Sequence, residues 1–241
     1  MGLFNILIQY IAPLFLITSP ITSYGDQIRS MHSSRSSRGF SLDTPLIMLV
    51  ASILRCFYWL GAEFETSLLI QSILMIFVQL TLLKVALDHR PPETSQPFSM
   101  ATKTPRPYRF WQWRGQRPYW EFLAYFTLST AVLQLVFGRS GVWVNALGYV
   151  ALGIEALLPL PQVLANQRSR SCQGFRVSVL VSWLVGDAMK MVYFWNAQHV
   201  GFQFKACALV QMVFDVYLGV QFWTFGGGPR VDDKGREMSV L

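Results

Sequence analysis

Apolar residues fall in seven long runs separated by polar stretches. Each run is close to the roughly 20 residues that an α-helix needs to cross a bilayer core. The pattern predicts spanning helices over 3–24, 45–61, 67–87, 119–137, 142–165, 177–195 and 202–225. Pro45 suits the first turn of the second helix, where its missing N–H costs nothing. No Lys or Arg precedes the first run, which is also longer than the apolar core of a signal peptide. It is therefore expected to be a retained membrane helix.

The polar stretches test this division. Those after the first, third, fifth and seventh runs carry Arg29, Arg35 and Arg38; Arg90, Lys103, Arg106, Arg109, Arg114 and Arg117; Arg168, Arg170 and Arg176; and Arg230, Lys234 and Arg236. The alternate stretches carry only Arg139, a split of fifteen basic residues against one. Basic loops stay cytosolic, so the N-terminus is expected in the lumen or outside and the C-terminus in the cytosol. Residues 88–118 form a Pro- and Arg-rich cytosolic linker on this reading, and 226–241 a flexible tail.

Composition supports a chain solvated by lipid. Hydrophobic residues make up 52% and charged residues 14%, against about 25% charged in an ordinary soluble domain. The net charge of +7 does not point to nucleic acid, because the basic residues lie between spanning runs and build no single basic face. Cys56, Cys172 and Cys207 show neither CxxC nor pairing spacing, and the three histidines are far apart. No metal site or cofactor is expected. The segment Tyr108-Arg-Phe-Trp-Gln-Trp-Arg114 interleaves aromatic and basic residues. Arg109, Trp111, Trp113 and Arg114 could contact anionic headgroups; the alternative is an interfacial aromatic belt before the fourth helix.

A shift of 135 residues superimposes 26–59 on 161–194 without a gap. Gln27 then meets Gln162, Arg35-Ser36 meets Arg170-Ser171, Gly39-Phe40 meets Gly174-Phe175, and Tyr58 meets Tyr193. Arg55 falls on Lys190, which keeps a cation within an apolar run. Gln71 and Gln79 match Gln203 and Gln211 at a slightly different offset. Such internal symmetry marks repeat-built transporters. Two three-helix repeats, 1–87 and 142–225, joined by a linking helix over 119–138, would be parallel because an odd number of crossings lies between them. The expected fold is an all-α membrane protein of seven transmembrane helices in a 3+1+3 order.

The run Leu158-Pro159-Leu160-Pro161-Gln162, with Ser171-Cys-Gln-Gly174-Phe175 after it, resembles the PQ-loop motif shared by cystinosin, SWEETs and their relatives. The first repeat departs from it, with Asp26-Gln27 where Pro-Gln is expected. Gly39-Phe-Ser, the stretch from Ala51 to Trp59, and Leu69-Ile-Gln71-Ser72 are similar to a subgroup of animal and fungal proteins of the endosomal and late Golgi system. Fungal members of that subgroup are linked to phospholipid scrambling and to opposing aminophospholipid flippases. The resemblance implies that location, phospholipid substrates, and a hinge at Asp26, Gln27, Pro159, Pro161 and Gln162. The alternative for the prolines is a fixed kink satisfied by neighbouring groups.

Embedded charges carry the candidate chemistry. Each costs roughly 2.5–3.5 kcal/mol at the bilayer centre, so it should face the bundle interior or a wet cleft. Asp187 and Lys190 are three apart, and Gln211 and Asp215 four apart, so each pair shares a helix face. Glu155 and Gln162, seven apart, should do the same. With Arg55 related to Lys190, these residues predict a substrate cleft of Arg55, Glu155, Asp187, Lys190, Gln211 and Asp215 between the repeats. The competing reading is a set of structural ion pairs. Lys205 belongs to the same embedded set; Lys84 and Glu121 should snorkel.

A cleft of balanced charge suits an ATP-independent phospholipid scramblase, and no phosphate-binding Gly-rich loop with Lys is visible. A proton-coupled exporter of a small solute from an acidic organelle needs the same cleft, with Asp187 or Asp215 carrying the proton. A non-transporting adaptor using the cytosolic linker is a third reading. An enzyme is not expected, since no nucleophile–base pair is present. A second copy of the chain is a further candidate partner.

Overall fold

The computed structural model of the chain describes residues 10–37, 40, 42–90, 110–170, 172, 177–197 and 200–225. They form eight α-helices: α1 (Ala12–Ser34), α2 (Asp43–Ala62), α3 (Thr66–Asp88), α4 (Arg117–Phe137), α5 (Gly141–Ala156), α6 (Leu160–Ser169), α7 (Val177–Asn196) and α8 (Phe202–Phe225). No strand occurs among the described residues. Four helices, α2, α3, α4 and α8, are long and apolar enough to cross a membrane. Successive helices alternate direction, except across the turn between α5 and α6. One end of the bundle, the tight-turn end, holds the connections 63–65 and 138–140; the opposite, basic end holds Arg35, Arg90, Arg117 and Arg170.

The first helix differs from expectation. Residues 1–9 lie outside the described residues, and α1 continues ten residues past Tyr24. Its polar second half remains helical because Tyr24, Ile28 and Met31, spaced four and three apart, pack on one face against α3. Asp26 and Gln27 therefore stand inside a helix. Pro20, also inside α1, lacks the N–H that would bond the Leu16 carbonyl. The Ser19 hydroxyl donates to that carbonyl instead, at 2.8 Å.

The fifth run divides rather than bending. Pro159 and Pro161 remove the donors for the Glu155 and Leu157 carbonyls. Those carbonyls are taken three residues on, by Leu158 N at 3.1 Å and Leu160 N at 3.0 Å. The tightened turn ends α5 and starts α6 on a new axis. Despite this difference, α1 and α6 finish alike. Arg35 and Arg170, 135 apart, both adopt the left-handed conformation, with φ of 47° and 49°.

Apolar packing shows how the helices are grouped. At the tight-turn end one cluster draws on both halves, including Leu16, Tyr58 and Phe64 with Val144, Phe194 and Phe204. Towards the basic end two separate clusters replace it. One joins α1–α4, with Met31, Leu49, Leu82 and Leu123. The other is Val163, Leu180 and Leu218 of α6–α8. Among the described residues, no buried apolar cluster bridges the halves at that end. The buried apolar packing shared by the two halves lies at the tight-turn end.

The segment before α4 is anchored to the first half. Trp111 is 1% exposed, and its indole N–H donates to the Leu42 carbonyl at 2.6 Å. Arg90 donates to the Trp113 carbonyl at 2.8 Å and to the Tyr119 hydroxyl at 3.1 Å. Trp111, expected among the headgroup contacts, is instead sealed within protein by this packing.

Candidate functional site: a polar cavity between the halves

Arg55 enters from α2, four residues before the point where Trp59 bonds the chain reversal at Phe64. Its guanidinium donates to Glu155 Oε2 of α5 at 2.6 Å and to Gln71 Oε1 of α3 at 3.4 Å. Gln71 in turn donates to Ser19 Oγ of α1 at 3.2 Å. The guanidinium also lies 5.5 Å from the centre of the Phe204 ring. A planar fork with several donors suits this multiple pairing better than an ammonium would. With both side chains largely buried, the pair needs this geometry to offset its desolvation.

Lys190 supplies the cation of the other half. Its Nζ lies 3.4 Å from Asp187 Oδ1, one turn back on α7, and donates to Gln211 Oε1 of α8 at 3.0 Å. Behind it lie the buried carboxyls of Asp187 and Asp215. Arg55, Gln71, Glu155, Lys190 and Gln211 line one cavity of about 20 Å³, with Leu16, Phe194 and Phe204 among its apolar walls. Its volume admits about one water molecule. Six helices (α1, α2, α3, α5, α7 and α8) contribute to it.

The tight-turn end is closed above this cavity by two matched contacts. Tyr58 of α2 donates its hydroxyl to Gln203 Oε1 of α8. Tyr193 of α7, which the repeat places on Tyr58, shares a hydrogen bond with Ser67 of α3 at 3.0 Å. Each tyrosine reaches the first turns of the third helix of the opposite half. Phe64 and Phe204 fill the space between, with ring centres 4.8 Å apart. Two glycines permit the approach of α2 to α5. A Cβ at Gly148 would lie 2.8 Å from the Tyr58 ring, and one at Gly61 would collide with Val144.

Of the predicted cleft residues, the fold brings Arg55, Glu155, Lys190 and Gln211 to the cavity, with Asp187 and Asp215 directly behind. Gln162 does not join them. The break at Pro159 lies between it and Glu155, and Gln162 bonds Asn166 at 2.8 Å instead. Asp26 and Gln27 are exposed on α1, Pro159 is buried in the turn, and Pro161 is exposed at the start of α6. Arg109 lies outside the described residues, Trp113 is half-buried and Arg114 is exposed. Lys205 stands away from the cavity, 5.8 Å from the centre of the Trp195 ring. Sequence reasoning missed Gln71 and Ser19 as site residues. It also missed the two tyrosine contacts, although the repeat alignment had already paired Tyr58 with Tyr193. Among the described residues, no group of three or more His, Cys, Asp or Glu is placed to hold a metal ion.

Among the described residues the chain is all helical, with four membrane-length helices and a charged cavity held within the bundle, which makes it an integral membrane protein. The sequence pattern of the PQ loop repeat matches residues 143–198. The chain is also 30% identical to "Scramblase ANY1" of Saccharomyces cerevisiae over 285 aligned positions, which cover 89% of this chain and 70% of that protein. The chain belongs to the PQ-loop repeat family.

Proposed function

We propose that the chain is an ATP-independent phospholipid scramblase. Headgroups pass through a polar cleft between two parallel three-helix repeats, while the acyl tails stay in lipid. In this reading α1–α3 form one repeat and α5–α8 the other, with α5 and α6 acting as one broken span and α4 as the link. Seven spans result. The basic end faces the cytosol, the tight-turn end the lumen of the endosomal and late Golgi system, and the activity opposes the asymmetry that aminophospholipid flippases build. The observation that carries the reading is the cavity itself. Opposed charges from both halves meet at one point in the bundle, and the two apolar cores separate beneath it. The name of the yeast relative supports the same substrate class.

The protein reconstituted into liposomes should accelerate transbilayer exchange of a fluorescent phospholipid without ATP. Exchange no faster than in empty liposomes, beside a working positive control, rejects the proposal. A second reading draws on the buried Asp187–Asp215 carboxyl pair beside Lys190, which suits proton-coupled movement of a small solute such as an amino acid. Labelled amino acid uptake that follows an imposed pH gradient would favour it over the scramblase.

A further inference from the structure

The second half of α1 carries polar residues in a regular line: Ser19, Ser23, Asp26, Ser30 and Ser33, spaced four, three, four and three apart. Such spacing keeps side chains on one helix face. Ser23, Asp26, Ser30 and Ser33 are exposed, so they do not serve packing within the chain. The face is not the lipid face. Leu14 and Ile21, the exposed apolar residues of α1, project from the other side of the helix. Leu16, which lines the cavity, precedes Ser23 by two turns on the same side.

Depth gives the line its meaning. Ser19 bonds Gln71 at 3.2 Å, and the His32 ring contacts that of His89. Residues 19–32 of α1 therefore run beside 71–89 of α3, the most hydrophobic of the four membrane-length helices. Hydroxyls and a carboxylate exposed at that depth are costly in hydrocarbon and cheap in water. The top of the line joins the cavity through Ser19, Gln71 and Arg55. Arg55, nine-tenths buried in the cavity wall, keeps its Nε–H without a partner. Below the cavity, the described buried apolar residues of the two halves form separate clusters.

The geometry points to α1 as the track along which a zwitterionic phospholipid headgroup travels between the cavity and the basic end, an inference that rests on the scramblase reading. Serine hydroxyls donate to the phosphate, and Asp26 faces the ammonium. The track is one-sided. The positions 135 residues on are Ile154, Leu158, Pro161, Ala165 and Arg168, which form no such line.

Two measurements on the full-length protein in liposomes test this. Single cysteines at Ser23 and Ser30 should react with a charged maleimide about tenfold faster than a cysteine at lipid-facing Ile21, with the unaltered chain as the blank. Equal rates overturn the track. The combined S23L, D26L and S30L variant should keep its melting temperature, because these residues are exposed, and should slow exchange of a fluorescent phosphatidylethanolamine at least about tenfold. The S23T and S30T pair, which keeps both hydroxyls, should retain the rate. Fast labelling with an unchanged rate in the leucine variant overturns the headgroup role. If the unaltered chain moves no lipid, the scramblase reading falls. The labelling comparison then decides separately whether this face of α1 is wet.

Discussion

Arg55 and Lys190 occupy the same place in the two halves, 135 residues apart, and are held in opposite ways. Arg55 reaches across to Glu155 of the other half, and its side chain is 5% exposed. Lys190 pairs with Asp187 on its own helix and Gln211 of its own half, and is 21% exposed. Moving the halves apart must break the first pair and leaves the second intact. One cation is therefore a joint between the halves. The other stays with its own half.

Substitutions can break this contrast in order of size. Replacing Glu155 with Gln leaves Arg55 buried beside a neutral group, and should cost about 3–5 kcal/mol, read as a large fall in melting temperature in detergent. Replacing Arg55 and Glu155 together by Leu should recover most of that loss; an equal loss would mean that the pair is not what sets the cost. Lys190→Ala leaves the buried Asp187 and Asp215 carboxyls without their cation. It should therefore also lower the melting temperature, but less than Glu155→Gln because Lys190 is 21% exposed. It should slow lipid exchange about tenfold, equivalent to roughly 1.4 kcal/mol at the barrier. A Lys190 variant that transports normally would make this pair a bystander too. The tyrosine contacts come next. Tyr58→Phe and Tyr193→Phe each remove one hydrogen bond and should each cost about 1 kcal/mol of stability. Both should raise the access of a thiol probe to Cys207, in the cavity wall, from the tight-turn end. Lys205→Ala, beside Trp195 and away from the cavity, should change stability and transport least, within about 0.5 kcal/mol.

Helix position was legible where hydrophobic periodicity and length agree. The seventh run, 202–225, coincides with α8, and the third lies within one residue of α3 at each end. Hydropathy alone misplaced α1, because Thr22, Ser23, Asp26, Gln27 and Arg29 lower the average across its second half. The readable signal was the apolar face of Tyr24, Ile28 and Met31. The prolines correctly marked a disturbance near Pro159. Their combined effect was larger than a bend, because two donors are lost within three residues.

The site divides in the same way. Local pairs such as Asp187 with Lys190 follow from helical spacing and could be read directly. Arg55 with Glu155 could not, since those residues lie 100 positions apart and only the docking of α2 on α5 joins them. Gln71 and Gln203 stood out as matched polar positions, but nothing in one dimension says that one bonds Arg55 and the other Tyr58. The burial of Trp111 was not legible, because an aromatic residue among arginines is equally at home at an interface and beneath a loop.

The Arg90 clamp on Trp113 has a practical consequence. It holds Arg90 and Trp113, on either side of the linker, within hydrogen-bond distance of each other. Extra length grafted there leaves the anchor untouched. It adds only loop-closure entropy, about 0.6 kcal/mol for each doubling of the segment. A fluorescent reporter domain could be hosted at this position with the bundle undisturbed.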